Sequence, residues 1–315
     1  MSAITNSAAG VKAGFRFDGE MRHSIRLYAC WIATLSVIAW VAVRGFPYYR
    51  LDAVSRAYSP DHALFRPSGT IGLRMGLLGL GFFLVLFLYP IRKRWPWLGR
   101  IGKTRHWLDF HVLAGITAPV MVTLHSSFKV RGLAGVAYWI MMAVALSGFV
   151  GRYLYAQIPR SLSASELTLR DLQSLSSGLA VLLERQTVLK WDDVAPLLRV
   201  PTTEEVETMS VGRTLLTMLV LDITRPFRVS RLRRGFLSGS ELILTVGGLL
   251  RTRHQDLETA ISAVRSQSWL SAKMAFLRRI QEVFHLWHVV HRPFSYSFAV
   301  LVVVHIGIAL SLGYY

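Results

Sequence analysis

The chain has 315 residues, of which 52% are hydrophobic and only 17% are charged, and its mean hydropathy is +0.40. Because soluble domains carry about 25% charged residues, this composition argues against the two soluble domains that the length alone would suggest. Lys and Arg number 36 against 18 Asp and Glu. An apolar, strongly basic chain is typical of a membrane protein with basic loops on one side. We expect no nucleic-acid partner, because basic patches for nucleic acid lie on polar surfaces.

The single cysteine, Cys30, excludes an intrachain disulfide. It also excludes an iron–sulfur cluster held by this chain alone, since such a cluster needs about four thiolates. No C-x-x-C-H sequence is present, so a covalently attached c-type haem is excluded as well.

Five windows without Asp, Glu, Lys or Arg predict membrane-spanning helices, since a helix needs about 17–25 apolar residues to cross a bilayer. Segment 1–20 precedes them and lacks the apolar core of a signal peptide. Trp and Tyr cluster near the ends of the windows, as is typical at the level of lipid headgroups. The sequence predicts an all-α integral membrane protein with a five-helix transmembrane bundle. In chain order the windows are 27–43, 75–91, 110–128, 132–151 and 293–315.

The region between the fourth and fifth spans predicts a helical insertion. A capping box at Ser163 begins an apolar-periodic helix to about Gln186, and the proline-containing segment 191–201 interrupts the pattern. Segments 212–223 and 241–250 are short and apolar, better suited to lying on a membrane than to crossing it, although a membrane hairpin is the alternative. A further helix from about Gln255 to Phe284 is expected to continue into the fifth span.

These features predict four regions: an N-terminal segment 1–26, four helices in 27–155, the insertion 156–283, and the fifth helix in 284–315.

Basic residues are distributed unequally between the two sides of the predicted membrane. The N-terminal segment, the loop after the second span and the region after the fourth hold 29 of them, against 6 in the other two loops. Because basic loops stay in the cytoplasm, the N-terminus and the insertion are expected to be cytoplasmic. The C-terminus is then periplasmic, and the expected location is a bacterial inner membrane.

Four of the ten histidines repeat one spacing. His111 and His125 are 14 residues apart in the third span, and His291 and His305 are 14 apart in the fifth. Fourteen residues advance a helix by about 21 Å and turn it by about 40°, so each pair shares a face. The two spans run parallel, which pairs His111 with His291 at the cytoplasmic level and His125 with His305 at the outer level. Two b-type haems, each with one axial histidine from each helix, require this arrangement.

Other readings of these residues remain open. His288 is the alternative to His291 as the inner ligand, and all four histidines could be incidental polar residues of a transporter or scaffold. His106 and His285 are expected near the cytoplasmic interface, where a quinone or haem propionates could bind. Asp109 is expected to pair with Arg105 or Arg152. Candidate partners for haem propionates by charge-assisted hydrogen bonds are Arg105, Arg152 and Arg292 on the inner side and Lys129 and Arg131 on the outer side.

The His-x13-His spacing on two parallel helices separated by one helix resembles the haem-bearing core of ferric-reductase-like transmembrane proteins and the NADPH oxidase family. It is also similar to the ligand helices of respiratory cytochrome b. The sequence from Phe284 to Phe294 looks like fifth-helix sequences of bacterial cytochrome b-like subunits. The resemblance covers 71–155 and 284–315. It implies two haem b groups on His111, His125, His291 and His305.

The resemblance further implies an electron-transfer subunit in a hetero-oligomer with a redox protein, such as an iron–sulfur protein, a flavoprotein or a cytochrome c, and a quinone as a further candidate. The alternative is a stand-alone ferric or cupric reductase, for which Asp61 and His62 on the first outer loop would be the metal site. Two departures stand out. Insertion 156–283 is foreign to both families, and no G-x-G-x-x-G fingerprint of a dinucleotide-binding unit is present.

Overall fold

The computed structural model describes residues 19–158, 194, 199–252 and 254–313. Within these residues all regular secondary structure is helical, and turns and loops connect the helices. This confirms the predicted all-α class. A short 3-10 turn covers Ser55–Tyr58. The α-helices are α1 Gly19–Tyr49, α2 His62–Phe65, α3 Thr70–Arg94, α4 Pro96–Gly99, α5 Thr104–His125, α6 Gly132–Gln157, α7 Thr203–Thr208, α8 Val211–Arg234, α9 Gly239–Leu244 and α10 Gln255–Ser311.

Five helical segments are long and apolar enough to cross a membrane, and each contains one of the predicted windows or most of it. The chain is therefore a multi-pass membrane protein by length and composition. The predicted continuation of the insertion helix into the fifth span is confirmed, because α10 runs unbroken from Gln255 to Ser311 through Pro293. The predicted helix from Ser163 to Gln186 lies outside the described residues, as does most of segment 191–201.

The short apolar segment predicted at 212–223 is in fact the first half of α8, which continues through Pro226 to Arg234. Pro226 removes one internal hydrogen bond and its ring crowds the carbonyl four residues earlier, at a cost of about 3 kcal/mol that the packing of α8 must offset. Among the described segments, neither α8 nor α9 is among those long and apolar enough to span a membrane.

The chain divides into two compact units. The first unit comprises Met1–Gly148 and Pro293–Tyr315, and the second comprises Phe149–Arg292. The first therefore contains His111, His125 and His305, whereas His288 and His291 belong to the second. Each unit is described by itself below.

The antiparallel pair α3 and α5 forms the centre of the first unit, and α5 is the most buried of the five candidate spans. Glycines on α3 allow the close approach. A Cβ added at Gly79 would lie 3.0 Å from the Val122 side chain on α5. Small residues at helix contacts are usual in membranes, because they let backbones approach closely.

One end of the first unit, called the His125 end here, is closed by a buried aromatic cluster. Tyr48 at the end of α1 stacks on Phe65 of α2 with ring centroids 5.8 Å apart. The Ser127 hydroxyl donates to the Phe65 carbonyl at 2.6 Å. Arg56 donates to the backbone carbonyls of Ser127, Tyr49 and Leu51. These bonds order the loop that follows α5 at His125, where Ser127 and Phe128 have positive φ.

The second unit is built on α8 and α10. One core cluster contains Val229 and Leu232 of α8 with Ile261 and Val264 of α10. A second joins Met218 of α8 to residues of α6, α7 and α10. Burial of these side chains supplies most of the favourable free energy that holds the helices together.

Candidate functional site

His125, the last residue of α5, has one ring nitrogen held by α3. Its Nδ1 lies 2.9 Å from the carbonyl oxygen of Gly72. A carbonyl oxygen only accepts hydrogen bonds, so Nδ1 carries the proton and Nε2 keeps its lone pair. Among the described residues, none donates to this Nε2. Metal-ligating histidines almost always donate their other ring N–H to a carbonyl or carboxylate, and the Gly72 contact holds His125 in the same tautomer.

Gly76, one turn beyond Gly72, gives this imidazole its space. A Cβ added at Gly76 would lie 2.7 Å from Nδ1 of His125 and 2.9 Å from its Cε1. Real Cβ atoms do not approach ring atoms so closely, so any larger residue would displace the ring or the helix. The pair Gly72 and Gly76 therefore positions His125 by a backbone acceptor and by the absence of a side chain.

His305 on α10 belongs to the same unit. It is close enough to His125 for the two rings to interact electrostatically. Both residues are half-buried. That the two histidines form one ligand pair at the outer level stays a prediction.

His111 occupies the corresponding position nearer the other end of α5. Its Nδ1 is buried and makes no hydrogen bond of acceptable geometry, although the ring interacts with the backbone of Leu86 on α3. Leu86 follows Gly72 by the same 14 residues that separate His111 from His125. Because α3 and α5 are antiparallel, the 14-residue repeat places a backbone group of α3 beside each imidazole. Tyr89 contacts the His111 ring with centroids 5.2 Å apart.

Apolar side chains fill the space midway between the two levels. Phe83 of α3 and Phe298 of α10 meet edge to face with centroids 4.7 Å apart. They pack with Ala118 and Met141, all buried. Ala118 is 7 residues from both His111 and His125. The two levels are therefore separated by a packed apolar layer.

In the second unit, His288 and His291 have different surroundings. Nδ1 of His288 lies 2.9 Å from the Phe284 carbonyl oxygen, which assigns its proton to Nδ1 as in His125. His291 stacks on Trp287 with centroids 4.5 Å apart. The Trp287 ring also fills the space beside Gly151, where an added Cβ would lie 2.1 Å from it. Which of the two histidines serves as the inner ligand stays a prediction.

The charged candidates for propionates are all exposed at the surface of their units: Arg105, Arg152, Arg292, Lys129 and Arg131. His62, a candidate for an outer metal site together with Asp61, lies instead with its Nδ1 3.1 Å from the Tyr48 hydroxyl. In the described part of the chain, no three His, Cys, Asp or Glu side chains converge as a metal-binding group.

A cluster of titratable side chains joins the starts of α1 and α5. His23 stacks on His106 with centroids 3.6 Å apart and an angle of 11°. Nε2 of His23 lies 3.1 Å from Asp109, and Nε2 of His106 lies 3.3 Å from Glu20, which also pairs with Lys103. His23 is thus a partner of Asp109 that the sequence analysis did not name, and the expected pairing of Asp109 with Arg105 or Arg152 stays a prediction.

Sequence reasoning missed the contributions of α3. Gly72 and Leu86 carry no reactive side chain, and only their 14-residue separation, equal to that of the histidines, could have indicated them. His23 was missed because α1 begins at Gly19, two turns before the charge-free window.

Comparison of the sequence with protein families, curated proteins and solved structures finds no match.

Proposed function

We propose that the chain is a membrane cytochrome b subunit that carries electrons across the bilayer through two bis-histidine haem b groups. The observation that carries this proposal is the Nδ1 hydrogen bond of His125 to Gly72, which leaves Nε2 with its lone pair available to a ligand. The same 14-residue interval recurs in three helices, between His111 and His125, between Gly72 and Leu86, and between His291 and His305.

The residues fit haem better than a compact metal site. A structural zinc site needs about four ligands around one point, and among the described residues no three His, Cys, Asp or Glu side chains form such a group. A planar macrocycle between two helices needs one imidazole from each. His125 and His305 would hold the outer group, and His111 with His291, or with His288, would hold the inner one.

Bound haem supplies reversible one-electron chemistry. The residues of this chain contribute three properties. The Gly72 carbonyl fixes the tautomer of His125 and raises its basicity as a ligand. Gly76 keeps the ring in place, and the Phe83–Phe298 layer excludes water from the region between the two levels. Burial and hydrogen bonding of this kind set haem potentials.

The charge distribution supports an orientation and a class of partner. With 29 of 36 basic residues in the N-terminal segment, the second loop and the region after the fourth span, these parts are proposed to face the cytoplasm of a bacterial inner membrane. Such a surface would attract an acidic redox protein, and a quinone is the alternative electron carrier. Lipid contact follows from the spans themselves.

The test is the optical spectrum of the purified full-length protein, expressed with ample haem. We expect a b-type α-band after reduction with dithionite and two haems per chain by pyridine haemochrome assay. Protein that is folded but colourless would overturn the proposal. A content of one haem per chain would restrict the proposal to one of the two histidine pairs.

A further inference from the structure

The second unit exposes an apolar stripe along α8. Leu216, Val220, Ile223 and Phe227 are between 48% and 61% exposed. At 100° per residue they lie within about 60° of one another around the helix. The opposite face, with Thr214, Met218 and Leu232, is buried against the cores. A stripe of this kind on a helix that packs on its other face marks an interaction surface.

The stripe continues into a loop that the fold holds in an unusual conformation. Arg234 lies two turns beyond Phe227 on the same face, and its Nε donates to the Gly247 carbonyl at 2.8 Å. The backbone at Val246, Gly247 and Gly248 has positive φ. A β-branched residue such as Val246 rarely adopts positive φ, so the surrounding structure must impose this turn.

A buried ion pair imposes it. Arg233 donates to the carbonyls of Gly248 and Leu249, both at 3.1 Å, and pairs with Glu258 of α10 at 2.7 Å. A Cβ added at Gly248 would lie 2.8 Å from the Ser230 carbonyl oxygen, which keeps the loop against α8.

The loop therefore presents apolar side chains outward in a fixed arrangement. Ile243 and Leu244 at the end of α9 are 81% and 78% exposed, and Val246 is 61% exposed. Exposing each large side chain to water forgoes about 1.5–3 kcal/mol relative to burial. The segment that carries this surface, 211–251, is strongly basic, with seven arginines, of which Arg233 is buried, and only two acidic residues.

We propose that the α8 stripe and the Ile243–Leu244 tip, together called the interfacial surface, insert into the headgroup region of the anionic leaflet of the protein's own membrane. Amphipathic helices with an apolar face and flanking Arg bind membranes in this way. The second unit is joined covalently at both ends to helices that can span a membrane, so a bilayer is available at high effective concentration. Charge complementarity selects anionic lipid, at about fivefold in the binding equilibrium per arginine near the surface.

The proposal is independent of haem and is tested on the full-length protein in vesicles. The background carries Cys30→Ser, which removes the single cysteine. Ile243→Cys is labelled with an environment-sensitive fluorophore. Glu204→Cys on α7, an exposed polar position in the same unit, is the matched control. The vesicles contain phosphatidylcholine alone, or equal parts of phosphatidylcholine and phosphatidylglycerol.

In phosphatidylglycerol vesicles, we expect lipids that carry a quencher near the headgroup to quench the label at position 243 several times more strongly than the label at 204, and aqueous iodide to do the reverse. Equal iodide quenching at both positions would overturn the proposal. A label at 243 that neither quencher reaches would also overturn it, because a protein surface, such as a second copy of the chain, would then cover the tip.

Charge variants test the choice of anionic lipid. Arg231→Gln combined with Arg251→Gln removes two exposed arginines of the segment and should weaken the preference for phosphatidylglycerol by about 30-fold in the insertion equilibrium at most. Arg265→Gln, at an exposed position of α10 outside the segment, should leave it unchanged. Equal quenching in both lipid mixtures, unaffected by the double substitution, would overturn the electrostatic part.

Discussion

Nδ1 of His125 lies 2.9 Å from the backbone carbonyl oxygen of Gly72. This contact connects the third span to the second by a group that no side-chain substitution removes. It commits Nε2 of His125 to the role of acceptor or ligand, because a neutral imidazole carries only one N–H. The proposed outer haem ligand is therefore oriented by the protein fold itself.

Gly76→Ala should disturb the outer haem selectively. The added Cβ would lie 2.7 Å from Nδ1 of His125, so the ring must rotate or move away from Gly72. We expect loss of at least half of one haem per chain, or a shifted potential and altered low-spin EPR signal of one haem. Gly81→Ala on the same helix is the control, since nothing lies within 4 Å of its added Cβ. Identical spectra for both variants would contradict the assigned geometry.

His125→Ala and His305→Ala should each remove the same haem, because one axial ligand from each helix holds it. The double variant should lose no more than either single variant. His111→Ala should remove the other haem and leave the first. Haem content and EPR signals of the purified variants check this pattern, and a case in which His125→Ala and His305→Ala eliminate different signals would show that the two do not share a site.

The inner ligand on α10 can be identified by comparing His291→Ala with His288→Ala. The 14-residue spacing from His305 favours His291, so His291→Ala should abolish one haem and His288→Ala should retain both. The opposite result would assign the role to His288, whose Nδ1 already contacts the Phe284 carbonyl. Retention of two haems in both variants would show that neither is a ligand.

Arg233→Met should destabilise the second unit. The substitution removes the ion-pair partner of the partly buried Glu258, which keeps only the Thr252 amide and hydroxyl among its described donors, and breaking a buried pair costs about 3–5 kcal/mol. It also removes the donors to Gly248 and Leu249. The loss of stability is measured by heating the protein and monitoring unfolding of the second unit through its cleavage by a protease. Arg278→Met is the control, because Arg278 is 73% exposed and a surface pair contributes about 0–1 kcal/mol.

Much of the membrane architecture could be predicted from local sequence. Charge-free windows located the five spans. The short length of the apolar segments 212–223 and 241–250 predicted that they do not cross the membrane, and neither α8 nor α9 is among the candidate spans of the described residues. The contact of His23 with Asp109 could not be predicted in this way. His23 lies 86 residues earlier, and only the packing of α1 against α5 brings the two together.

The sequence by itself determined the helical class, the spans and the 14-residue histidine repeat, because apolar length and helical period are properties of a single segment. The tertiary structure decided which groups surround each imidazole: Gly72 and Gly76 beside His125, Leu86 and Tyr89 beside His111. It also decided that Ile243 and Leu244 stay exposed. These features depend on the register of antiparallel helices and on which faces pack, and packing involves residues far apart in the chain.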